Sequence, residues 1–173
     1  MNLFLIGYRG SGKSTVAQLV AREIGLPWLD ADAALEQRAG RTIREIFAES
    51  GEEAFRDLES AELAKLAAGP AHVVALGGGA VLRQENQQLI KRSGKVAWLR
   101  ARPETLLARI EADVTTAQRR PNLTDAGGLA EIEQLLAVRT PVYAACADFV
   151  VDVDDLSPAA VAAAIVLWWR KLS

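Results

Sequence analysis

Short apolar runs alternate with longer stretches of helical periodicity along the whole chain. The run "NLFLI" (2–6) is apolar at nearly every position and reads as a strand buried on both faces. "KSTVAQLVAREIG" follows, with Val16, Leu19, Val20 and Ile24 on one helical face and Gly25 as a C-terminal stop. "LPWLD" reads as a second, short strand. "ADAALEQRAG" and "TIREIFAES" then read as helices, the latter with Thr42 and Glu45 at capping-box spacing. "EEAFRDLESAELAKLAAG" predicts a longer helix whose inner stripe is Phe55, Leu58, Leu63 and Leu66. "HVVAL" is a third strand and runs into three glycines. A helix near 83–93 leads to a fourth strand, "KVAWL", and "PETLLARIEA" is a helix with Pro103 suited to its first turn. A helix near 129–145 precedes the fifth strand, "DFVVD", and Ser157-Pro158 opens a last helix as N-cap and first residue.

Five buried strands separated by helices predict an α/β fold, a parallel doubly wound sheet in one domain. The 173 residues are enough for a real core without disulfides. One segment breaks the rhythm. "DVTTAQRRPNLTDAGG" (113–128) is polar and aperiodic, and a loop of that length is usually functional or disordered, the alternative to a functional loop here being a solvated insertion. Because it carries Arg119 and Arg120, an arginine-bearing lid is expected there.

Composition narrows the class. Half the residues are apolar, 24% are charged and the net charge is −2, so nothing points to nucleic acid or an anionic membrane as partner. The basic residues comprise fifteen Arg against five Lys, which supplies many planar forks for carboxylate and phosphate. Cys146 stands alone, so neither a disulfide framework nor a cysteine-rich metal site is expected, and it reads as a small buried residue. "MNLFLI" lacks a basic start, and the longest apolar stretch, 159–169, is too short to span a bilayer. A cytoplasmic protein, expected to be a monomer, is the resulting class.

The chemistry starts behind the first strand. "GYRGSGKST" (7–15) contains G-x-x-x-x-G-K-[ST] from Gly7 to Ser14. Such a loop turns successive N–H groups toward phosphate oxygens, and the helix beginning near Lys13 aims its positive end at the anion. Gly10, Ser11, Gly12, Lys13, Ser14 and Thr15 are therefore the candidate ATP-binding residues. Gly12 keeps a Cβ away from the nucleotide, Lys13 reaches the β- and γ-phosphates, and the Ser14 hydroxyl is a candidate Mg²⁺ ligand.

Acids elsewhere must name the reaction. No N-K-x-D element of guanine-specific switches occurs, and "DAGG" (125–128) follows no strand. Two strand ends carry candidates: "WLDAD" with Asp30 and Asp32, and "FVVD" with Asp152. The first is preferred, because two carboxylates two residues apart can serve a magnesium and a hydroxyl separately. Either acid also suits a helix cap.

Taken together, "GYRGSGKST", "DAD" (30–32), "GRTIREIFAESGEEAFRDLE" (40–59), "LGGGAV" (76–81), "RRPNL" (119–123) and "RTPVY" (139–143) resemble the shikimate kinase family over nearly the whole chain. The resemblance implies a five-stranded parallel sheet in the order 2-3-1-4-5, as in nucleoside monophosphate kinases. Its division would be a core sheet over 1–30, 70–112 and 146–173, a shikimate-binding segment over 31–69 and a lid over about 113–128. It also implies transfer of the ATP γ-phosphate to the shikimate 3-hydroxyl, with Mg²⁺ as cofactor. Asp32 would then hold the ring hydroxyls and take the attacking proton, and Asp30 would steady Mg²⁺ through water. Arg56 and Arg139 would grip the carboxylate, while Gly77, Gly78 and Gly79 would bring backbone N–H groups to the ring. Lys13 and Arg120 would offset charge on the transferring phosphoryl, with Arg120 also on the ATP.

Two departures from the family bear on the nucleotide. Relatives often carry another basic residue shortly before the lid arginine, stacked on adenine; here the approach is "ADVTTAQ", leaving Arg119 or Arg109 as substitutes. The stretch "DVDDLS" before Pro158 is acidic where some relatives are basic. His72 lacks partner ligands, Trp28 and Trp98 are expected in the core, and Tyr143 reads as packing support for the helix carrying Arg139. Trp168 and Trp169 suit either the core or an oligomer contact. The alternatives are a kinase of another small hydroxy acid such as gluconate, or a nucleotide-dependent regulatory module. The former would not expect paired arginines beside a triple glycine. The latter predicts nucleotide turnover indifferent to shikimate.

Overall fold

The computed structural model describes residues 1–113 and 127–172. Most of the expected lid, with Arg119 and Arg120, lies outside the described residues.

Five strands form one parallel sheet: β1 (Asn2–Ile6), β2 (Trp28–Asp30), β3 (Val73–Ala75), β4 (Gly94–Arg100) and β5 (Phe149–Asp152), in the order β2-β3-β1-β4-β5. This is the order the resemblance implies. The helices are α1 (Lys13–Ile24), α2 (Ala31–Ala39), α3 (Ile43–Ala68), α4 (Gln84–Ser93), α5 (Pro103–Ala112), α6 (Gly128–Cys146) and α7 (Pro158–Arg170). Among the described residues no helix is long and apolar enough to cross a membrane.

Strand alternation divides the core between the two faces. Leu3, Leu5, Val73, Ala75, Ala97 and Leu99 point to α1 and α7, where they meet Val16, Val20, Val161 and Ile165. Phe4, Ile6, Val74, Val96 and Trp98 point the other way, to Leu63 of α3, Ile90 of α4 and Tyr143 and Cys146 of α6. A smaller cluster of Leu35, Ile43, Ile46 and Phe55 holds α2 against α3.

The end signals act as read. Gly25 closes α1 at φ 71°. Thr42 and Glu45 form a reciprocal capping box, and Ser157 accepts from the Ala160 N–H at 3.2 Å. His72 donates its backbone N–H to Asn2 Oδ1 at 2.9 Å, and its ring meets the Pro70 carbonyl.

The two helices expected over 42–50 and 52–69 meet within α3 at Gly51, whose φ of 80° and ψ of 176° break the helical run and redirect the chain. Two expectations need correction. Leu58 is 38% exposed and does not belong to the inner stripe. That stripe instead buries Phe55, Arg56, Glu59, Glu62 and Leu63. Trp28 is 40% exposed, because β2 is an edge strand, whereas Trp98 is in the core as expected. Trp168 stacks on Phe149 at 5.0 Å and 11° and packs, partly buried, against the core.

Candidate active site

Every candidate residue among those described lies beyond a carboxyl end of the sheet, where α/β folds bind ligands. β1 runs into the loop 7–12, β2 ends in Asp30, and β3 leads to Gly77–Gly79. Together they wall a crevice of about 540 Å³ containing Gly10, Gly12, Lys13, Ser14, Thr15, Asp30 and Asp32, with a narrower pocket beside it.

The phosphate loop is pre-shaped. Gly12 caps α1 at φ 89° and ψ 15°, a left-handed conformation that a side chain would oppose. Lys13 Nζ arches back over the loop and donates to the carbonyls of Gly7 at 2.9 Å and Tyr8 at 2.8 Å.

Asp30 does two jobs with its two oxygens. Oδ1 accepts from the backbone N–H groups of Asp32 at 3.0 Å and Ala33 at 3.2 Å, so it is the N-cap of α2. Oδ2 accepts the Ser14 hydroxyl at 2.5 Å. The helix-cap reading of this residue holds, and its second oxygen stays directed to Ser14. Two hard oxygen donors held together suit Mg²⁺, which takes one or two carboxylates and otherwise relies on phosphate and water.

The three glycines are seats for charged side chains. A Cβ on Gly77 would lie 2.7 Å from Asp32 Oδ1 and 2.9 Å from Glu59 Oε1. On Gly78 it would lie 3.4 Å from Arg139 Nη1, and on Gly79 it would lie 2.5–2.7 Å from the guanidinium atoms of Arg56. The strand end thus presses against the acid and both arginines without intervening atoms.

The two arginines are not equivalent. Arg56 is 8% exposed and donates to Glu59 Oε2 at 2.7 Å and to Glu52 Oε1 at 3.2 Å. Burial pushes the Glu59 carboxyl up, and Arg56 opposes that shift. Arg139 is 6% exposed, and among the described residues it forms no ion pair. It rests over the ring of Tyr8 at 5.4 Å from the centroid. Tyr143, one turn on, is fully buried and donates its hydroxyl to the Gly78 carbonyl at 2.5 Å. Burial pushes its phenol up to about 12, so it remains a neutral donor that braces the glycine turn as well as the helix.

A buried cation with no carboxylate partner among the described residues, beside a second buried arginine and an aspartate, has the chemistry to suit a small acid with hydroxyl groups. Residues 9–170 match the shikimate kinase family. The chain belongs to it. It is 47% identical to the shikimate kinase of Rhodopirellula baltica over 87% of this chain and 81% of the relative. It is 44% identical to that of Moorella thermoacetica over 99% and 98%. Among solved structures, the shikimate kinase of Acinetobacter baumannii in complex with shikimate superposes with a TM-score of 0.92 at 31% identity, covering 99% of this chain and 94% of that one. The Aquifex aeolicus shikimate kinase gives 0.81 at 31% identity, covering 99% and 98%.

Against the shikimate kinase pattern, several site residues escaped the sequence. Arg9, Ile43, Phe47, Phe55 and Glu59 line the narrower pocket with Arg56, Arg139 and the glycines. Glu59 was readable as an i, i+3 partner of Arg56. Arg9 fills a variable position of the phosphate loop and carried no signal.

On the nucleotide side, Arg109 lines the crevice and donates Nη2 to the Val153 carbonyl at 2.7 Å. In the acidic stretch, Asp152 pairs with Arg100 and Asp154 with Arg102. These partners draw both acids down: the Arg100 side chain for Asp152, and for Asp154, against the opposing effect of burial, the Thr105 side chain, the Arg102 N–H and the Arg102 charge.

Proposed function

We propose that this protein is an ATP-dependent kinase that transfers the γ-phosphate of ATP to the 3-hydroxyl of shikimate, giving shikimate 3-phosphate and ADP. This is a step toward chorismate and the aromatic amino acids. The observation that carries the reading is Arg139, a nearly buried cation with no ion pair among the described residues, converging with Arg56 on a glycine-lined pocket. A carboxylate completes that charge arrangement.

In this reading the segment 31–69 holds the acceptor, and the core sheet over 1–30, 70–112 and 146–173 positions the donor. Asp32, in the first turn of α2, orients the ring hydroxyls and accepts the proton as the 3-hydroxyl attacks phosphorus and ADP leaves. Lys13 and the loop N–H groups hold the phosphates, and Arg109, tied to Val153, is the candidate partner for adenine. Ser14 and Asp30 would hold Mg²⁺, which when bound neutralises phosphate charge. The protein does little covalent work; alignment and exclusion of water supply most of the acceleration. The role of Arg120 and of a lid over about 113–128 belongs to the same proposal and rests on the family resemblance.

ADP release by the purified protein, followed with and without shikimate, tests the function. Release is expected to depend on shikimate, with a phosphorylated acid as product; equal rates would reject the reading. Arg56→Ala and Arg139→Ala test the clamp. Each is expected to raise the shikimate KM by about tenfold or more, the scale of a lost charge-assisted contact. The ATP KM should stay nearly unchanged, and its collapse would reassign the arginines.

A further inference from the structure

The acceptor pocket holds a third guanidinium. Arg9 lines it together with Arg56 and Arg139, and also borders the phosphate crevice. Its Nη2 donates to Glu131 Oε1 at 2.7 Å, where the Glu131 side chain is 0% and the Arg9 side chain 14% exposed. Glu131 stands in the first turn of α6, the helix that carries Arg139. The ring of Tyr8 lies beneath both cations, 5.9 Å from Arg9 and 5.4 Å from Arg139. Arg9 Nε is buried and has no hydrogen-bond partner among the described residues.

Removing a carboxylate wholly from water is costly, and a well-packed apolar pair would stabilise the same contact at least as well. Stability alone therefore gives no reason for this pair. Its position does: it joins the phosphate loop to the clamp helix and fixes a fork-shaped cation at the acceptor pocket.

We propose that Glu131 is a positioning residue of the acceptor site. It holds the Arg9 guanidinium in place, and Arg9 joins Arg56 and Arg139 in selecting an acidic acceptor over a neutral one of the same shape. This rests on the reading of shikimate as acceptor.

The test compares kcat/KM for shikimate with that for its C1 carboxamide, an uncharged acceptor of nearly equal size, in the full chain. Glu131→Gln is expected to lower the acid-to-amide ratio by about tenfold, the scale of one charge-assisted contact, with the ATP KM unchanged. Because breaking a buried pair can unfold a protein, the double variant Arg9→Leu/Glu131→Leu is measured beside it. It should melt near the parent temperature and show the same reduced ratio. Arg9→Lys keeps a cation but loses the planar fork, and should fall between. A folded double variant with the parent's ratio would make the pair a structural staple and overturn the proposal alone. A parent that does not phosphorylate shikimate would remove the proposed function, and this inference with it.

Discussion

Asp32→Asn is expected to bind ATP like the parent and to turn over at least ~10²-fold more slowly, the usual scale for loss of a general base. The amide is nearly the same size, so it still fits against Gly77, where a Cβ would have met the carboxylate at 2.7 Å. It keeps a hydrogen-bond acceptor for the ring but not a basic group for the departing proton. Its backbone N–H still donates to Asp30, so the cap of α2 is untouched. Steady-state kinetics with a nucleotide-binding measurement separates the two effects. Near-parental kcat would remove Asp32 from the proton transfer.

Gly79→Ala is expected to raise the shikimate KM more than tenfold, by the same scale as deleting an arginine contact, and to lower the melting temperature through the Arg56–Glu59 pair. Gly79 has φ −105° and ψ −3°, which alanine adopts readily, so backbone strain does not enter. The added methyl would instead occupy the space of the Arg56 guanidinium, 2.5–2.7 Å away. That group is held by Glu59 and Glu52, so moving it aside also strains a buried ion pair. Moving aside takes it off the acceptor. Parallel kinetics and thermal melts decide the matter: a large loss of stability with unchanged KM would make Gly79 a packing residue only.

Legibility in the chain follows the physics of each element. Buried parallel strands are nearly pure apolar runs, so β1, β3, β4 and β5 stand out, and the phosphate loop is fixed by local spacing. Edge position is a property of the finished sheet, which is why Trp28 looked like core and is not. The stripe of α3 misled for a different reason. A reading by hydrophobicity selects Leu58, but this face buries Arg56, Glu59 and Glu62, the first two lining the pocket. Asp30 and Asp32 were visible as a pair, yet only the fold reveals that one caps the helix that presents the other. The Arg9–Glu131 contact joins residues 122 positions apart and had no local signature at all.

Asp30 also sets a distance. Because a single side chain terminates β2, starts α2 and meets Ser14, the donor and acceptor halves of the reaction share one pivot. A shift of the edge strand would therefore disturb the Ser14 contact and the start of α2 together, which ties the proposed magnesium position to the proposed acceptor position.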